Sequence, residues 1–148
     1  MESVKFWKTD GEWGIFSNFA GTPVEENGII YKTTEHYFQS KKFKDKENIN
    51  AVISAPTAHL AAQVGRDRTR PLRVDWEIIK DSVMYDALVL KAKQHPQFKK
   101  KLIESGEREI IEDSPYDSYW GCGKDGNGRN QLGKLLMKLR DQLKKETK

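Results

Sequence analysis

The chain has 148 residues, 32% charged and 36% hydrophobic, which is enough for a sizeable core under a heavily solvated surface. No apolar run is long enough to cross a bilayer, and the opening Met1-Glu-Ser-Val-Lys-Phe-Trp7 lacks a signal peptide's apolar core, so cytoplasmic residence is expected. The net charge of +4 sits largely in Lys99-Lys100-Lys101 and the tail Lys144-Lys145-Glu-Thr-Lys148, read as a solvated helix face and a frayed end; the single cysteine, Cys122, and three scattered histidines give neither a disulfide nor metal-ligand spacing.

The N-terminal third reads as β-rich and loop-rich. Val4-Lys-Phe-Trp7 alternates weakly, and Thr22-Pro-Val-Glu25 and Ile29-Ile-Tyr31 flank an Asn27-Gly28 hairpin turn. Helices follow. Thr34 is the expected N-cap of a helix to about Phe43, and Thr57 that of another reaching Val64, where Gly65 ends it. Asp75 caps a long helix from Trp76 to about Gln94, with Trp76, Ile79, Val83, Ala87 and Leu90 at the three-to-four spacing of a buried stripe. Pro96 opens a short helix that Gly106 closes, Glu109-Ile-Ile-Glu112 is a short strand, and a helix from about Asn130 to Lys145 puts Leu132, Leu135, Leu136, Leu139 and Leu143 on one side. With no repeat, linker or low-complexity tract, the expectation is one compact α+β domain over residues 1–148, predominantly helical with a small β portion.

The most informative stretch is Asp113-Ser-Pro-Tyr-Asp-Ser-Tyr-Trp-Gly-Cys-Gly123. It combines carboxylates, aromatics and glycines in a run suited to neither helix nor strand. Pro115 removes a donor and biases Ser114 away from helix, while the glycines permit tight turns. An acidic aromatic loop of this kind reads as a small-molecule site, or else as an aromatic plug of the core. Elsewhere, Ser17 and Asn18 lie between two phenylalanines, and on a helix Glu35, Phe38, Gln39 and Lys42 share one face. Glu35 falls in a first turn, where free N–H groups favour its ionised form. Arg66, in Gly65-Arg-Asp-Arg-Thr-Arg-Pro71, has the fork geometry to hold a phosphate. Gly126-Asn-Gly-Arg-Asn-Gln-Leu-Gly133 lacks a Gly-Lys-Ser/Thr ending and is no P-loop. His36 reads as a structural hydrogen-bonder, and Cys122 as a small residue.

These segments, in this order from Gly14 to about Arg140, resemble the NADAR family. The residues that carry the likeness are Phe16-Ser-Asn-Phe19, Glu35-His-Tyr-Phe-Gln39, Lys42-Phe43, Gly65-Arg-Asp67, Pro71-Leu-Arg73, Trp76, Met84, Asp117, Tyr119-Trp-Gly121, Asn130, Leu132-Gly133 and Leu135-Leu-Met137. The resemblance implies a compact α+β fold and hydrolysis of an N-glycosidic bond. In one branch the substrates are ribosylaminopyrimidine 5′-phosphates, early riboflavin intermediates, cleaved to a pyrimidine and ribose 5-phosphate. Other branches act on or bind ADP-ribose-type ligands, including ADP-ribosylated guanine. This chain has Glu112-Asp-Ser-Pro-Tyr-Asp117 where the first branch reads Glu-His-Thr-Glu-Asn-Asp, which leaves the substrate open between the two.

An oxocarbenium-like centre calls for a carboxylate nearby and a donor for the departing nitrogen. The resemblance therefore implies catalytic roles for Glu35, as general base or electrostatic stabiliser, and for Asp117, as second carboxylate or ligand of the ribose hydroxyls. Trp120 would stack on the base, Trp76 would line the site, Lys42 and Arg66 would take the phosphate, and Ser17, Asn18 and Asn130 would complete the polar lining. No metal, cofactor, membrane or obligate protein partner is implied. A catalytically silent ADP-ribose or nucleotide-binding module is the rival from another class, and Glu35 speaks against it, because a binder of polyanions gains little from a carboxylate.

Overall fold

Four three-residue strands and six α-helices order the described residues, 2–146, of the computed structural model; Met1, Thr147 and Lys148, including the end of the basic tail, lie outside them. In chain order they are β1 (Val4–Phe6), β2 (Val24–Glu26), β3 (Ile29–Tyr31), α1 (Thr34–Ser40), α2 (Lys46–Ile53), α3 (Ala58–Arg66), α4 (Trp76–Gln94), α5 (Pro96–Glu104), β4 (Ile110–Glu112) and α6 (Gln131–Glu146). The class is α+β, with far more helix than strand. Asn18–Gln94 form one compact unit, and the segments ending at Ser17 and beginning at His95 form a second.

In the Asn18–Gln94 unit, β2 and β3 pair antiparallel, Val24 opposite Tyr31. Asn27 and Gly28 both have positive φ, 53° and 83°, as the expected tight hairpin turn requires. Thr33, not Thr34, caps α1: its hydroxyl accepts the His36 N–H at 3.1 Å. The helix stops at Ser40, short of the expected Phe43, because Phe43 turns into a cluster with Val52, Ala55 and Ala61. That cluster also explains α2, which the sequence reading missed. Asp45 caps it through the Asn48 N–H at 3.0 Å, and only Val52 and the half-buried Ile49 anchor it there. Thr57 caps α3 as expected, but Gly65 lies inside that helix and Asp67 ends it.

The long helix α4 has the expected bounds, yet its buried face is Trp76, Val83, Met84, Ala87, Leu88, Lys91 and Ala92, with Ile79 and Leu90 half-buried. Lys91 is completely buried, and burial pushes its ammonium down from 10.5 to about 7. Between those values the unfolded chain holds a proton that the folded chain lacks, so stability rises with pH across that window; below it the desolvation penalty is complete. Lys91→Met is expected to stabilise the fold by about 1–2 kcal/mol at pH 6, the gain shrinking towards pH 10, as read by urea denaturation across pH. A loss of stability at pH 6 would mean that the ammonium's hydrogen bonds outweigh its desolvation.

In the other unit, β1 and β4 pair in parallel, Val4 opposite Ile110, and α6 and α5 complete the layer. Phe16 is fully buried and meets Phe6 and Phe98 edge-on, at centroid distances of 5.8 and 5.9 Å. All five expected leucines of α6 are buried. Among the described residues, no helix is long and apolar enough to cross a membrane, and no group of three or more His, Cys, Asp or Glu could hold a metal ion.

Candidate active site

Within the Asn18–Gln94 unit, α1 and the turn after it bring a carboxylate and an ammonium within electrostatic reach of each other. Glu35, 6% exposed, sits in its first turn; the Asn18 carbonyl accepts the Glu35 N–H at 3.1 Å. Asn18 is itself anchored, its side chain accepting from Thr34 Oγ1 at 2.8 Å and donating to Met84 Sδ at 3.1 Å. Asn18 therefore holds the start of the helix that carries Glu35. One turn on, Gln39 Nε2 donates to Glu35 Oε2 at 2.7 Å, a charge-assisted bond that orients the carboxylate.

Just past the helix, Lys42 Nζ reaches the Gly65 carbonyl at 3.3 Å and lies 5.8 and 5.9 Å over the rings of Phe38 and Trp76. Its ammonium is lowered from 10.5 to about 8, chiefly by burial and then by Arg68, with Arg66 and Lys80 adding repulsion and Glu35 opposing them. Trp76, 5% exposed, packs edge-on against Phe38 at 5.1 Å. Too little of its face is open to stack on a base. Arg66 is exposed in the last turn of α3. Arg68, which the sequence reading passed over in the same arginine run, donates to the Arg66 carbonyl at 3.1 Å and to that of Gly65. One carboxylate thus faces a set of cations. A permanently charged guanidinium suits a phosphate, while an ammonium near pKa 8 beside a carboxylate suits proton transfer.

His36 is structural, as expected. Its Nε2 meets the Ala55 carbonyl at 2.9 Å and its Nδ1 the Thr33 hydroxyl at 2.8 Å. A carbonyl only accepts, so the proton is on Nε2; burial holds the ring's pKa down.

The remaining predicted residues, Ser17, Asp117, Trp120 and Asn130, belong to the other unit. Ser17 is buried, its N–H closing the short 3₁₀ turn onto Gly14. Asp117 and Trp120 are brought together, because Asp117 Oδ1 accepts the N–H groups of Tyr119 and Trp120 at 2.9 and 2.8 Å. This carboxylate organises its own loop. Trp120 is half-buried and edge-on to Tyr119 at 4.8 Å. The carbonyls of Tyr119 and Trp120 accept the N–H groups of Gln131 and Leu132, so the loop caps α6 and occupies donors an anion would otherwise use. Cys122 lies 3.4 Å from an Asp113 oxygen, and burial, then that carboxylate, keep its thiol protonated.

Asn130 does something the sequence did not signal. Its Oδ1 accepts the Glu112 N–H at 3.0 Å and its Nδ2 donates to the Ile110 carbonyl at 2.8 Å, splicing β4 to the start of α6. It also adopts φ of 50°, which asparagine tolerates better than most residues. Asn130→Ala is expected to destabilise by about 2–4 kcal/mol in chemical denaturation, with Asn130→Gly recovering only the backbone part.

Comparison with known proteins gives a consistent result. The NADAR domain model matches residues 5–144. N-glycosidase YbiA of Escherichia coli (strain K12) is 41% identical over 140 residues, 95% of this chain and 88% of that protein. The NMR structure of the E. coli protein YbiA superimposes with a TM-score of 0.90 at 40% identity, covering 99% of this chain and 89% of that one. N-glycosidase Npun_R5314 of Nostoc punctiforme is 37% identical over 96% of this chain and 93% of its own length. The riboflavin biosynthesis protein PYRR of Zea mays is 35% identical over 95% of this chain, which matches 25% of that longer protein. With the family model spanning residues 5–144 and N-glycosidase YbiA 41% identical over 95% of this chain, the chain belongs to the NADAR domain family.

Proposed function

We propose that this protein is an N-glycosidase of ribosylaminopyrimidine 5′-phosphates, the early riboflavin intermediates. Water adds at the anomeric carbon, and the C–N electron pair leaves with the pyrimidine's nitrogen, which takes up a proton. Ribose 5-phosphate and the free aminopyrimidine result. The observation that carries the reading is the buried Glu35, held by Gln39 beside an ammonium lowered to about 8, in a chain related to N-glycosidases and to a riboflavin biosynthesis protein.

In this reading Glu35 stabilises the oxocarbenium-like centre and orients the water. Lys42 supplies the leaving nitrogen's proton, and Arg66 and Arg68 face the phosphate. The test is release of ribose 5-phosphate from the ribosylaminopyrimidine phosphate, run beside ADP-ribosylated guanosine. Faster release from the pyrimidine supports the proposal. Turnover of the guanosine conjugate alone would move the chain to the ADP-ribose side of its family, and binding of either without turnover would make it a binding module.

A further inference from the structure

The support of Glu35 ends on a residue with no side chain. Gly65 lies in the last turn of α3, where glycine weakens a helix and where its backbone needs no positive φ. What the position needs is room. A methyl group built on Gly65 would stand 1.9 Å from Gln39 Oε1, 2.7 Å from its Cδ and 2.9 Å from its Cβ. Gln39 is 2% exposed, and its Oε1 has no hydrogen-bond partner among the described residues. No hydrogen bond holds the amide from its oxygen side, where it packs against Gly65, while its nitrogen points at Glu35, 2.7 Å away. The Gly65 carbonyl also accepts from Lys42 Nζ and from Arg68.

We infer that Gly65 is a positioning residue: its bare Cα seats the Gln39 amide that fixes the Glu35 carboxylate, and its carbonyl seats the Lys42 ammonium on the same support. The inference rests on the reading of Glu35 as the catalytic carboxylate. It acts through Gln39, so substitutions at the two positions must not add.

The experiment is a double-mutant cycle of Gly65→Ala and Gln39→Ala, read in two ways. In turnover of the ribosylaminopyrimidine phosphate, each single variant is expected to lower kcat by about 10- to 100-fold with KM within about threefold, and the double variant to match Gln39→Ala. In ¹³C NMR of the Glu35 carboxyl, which needs no substrate, each single variant should titrate at higher pH than the wild type, because a donor to the ionised form is lost. Multiplied losses, a change in KM alone, or an unmoved carboxyl titration in Gly65→Ala would overturn the inference. Should Gly65→Ala fail to fold, the double variant decides: folding restored by the shorter side chain at position 39 supports the packing relation, and failure of both overturns it. If the wild type does not turn the substrate over, the proposed function fails while the NMR titration still decides the role of Gly65.

Discussion

Glu35→Gln is expected to lower kcat for ribose 5-phosphate release by about a thousandfold or more while substrate affinity stays within a few-fold. The substitution keeps shape and removes charge, and the charge is what a positive anomeric centre requires. The site around Glu35 already carries cations enough to hold a phosphate, so ground-state binding needs no carboxylate. Stability separates this outcome from damage. Glu35 is 6% exposed; the amide keeps its shape and an acceptor for Gln39, so the fold is retained, while losing the charge that opposes Lys42 and the arginines lowers Tm only modestly. Substrate affinity by calorimetry and kcat by product assay, on the same preparations, check both halves. Equal release by variant and wild type would place the reacting carboxylate elsewhere. Loss of affinity together with kcat would show Glu35 acting in binding.

How far this cluster was legible in the sequence follows from the range of each contact. Glu35, Gln39 and Lys42 lie within eight positions, so helical spacing alone placed them on one face, even though α1 ends before Lys42. The Asn27-Gly28 turn and the long helix α4 were legible for the same reason, since dihedral preference and periodicity are local. Gly65 was misread because a glycine near a helix end ordinarily terminates it; only the approach of Gln39, from 26 positions earlier, shows that the missing Cβ matters. Asn130 entered the expected site through the family resemblance, and its structural part was hidden because its amide reaches back 20 positions to Ile110. Helix α2 was overlooked because its segment Lys46–Ile53 buries little, and its anchoring partners Phe43 and Ala61 lie outside it. Among the arginines the sequence pointed to Arg66, and in the structure Arg68 acts more strongly than Arg66 on Lys42.

Lys42 separates two mechanisms that share one cluster of charges. Its ammonium, lowered to about 8 by burial and by Arg68, is protonated below that value. If the protonated form delivers the leaving group's proton, kcat/KM for the wild type falls as pH rises through about 8. Lys42→Met should then lower kcat by about 100- to 1,000-fold and abolish that alkaline limb. Lys42→Arg should push the limb out of the accessible range while restoring little of kcat, because a guanidinium stays charged but does not give up its proton. A phosphate clamp would behave otherwise. Lys42→Met would raise KM with kcat nearly kept, and arginine would restore binding. The wild-type profiles add an independent check, since kcat/KM reports the free enzyme and kcat the complex. A phosphate dianion seated on Lys42 would stabilise its charged form, so the alkaline limb of kcat would move above that of kcat/KM. If the phosphate is held by Arg66 and Arg68 instead, that displacement shrinks, and Lys42 is left as the group that protonates the departing nitrogen.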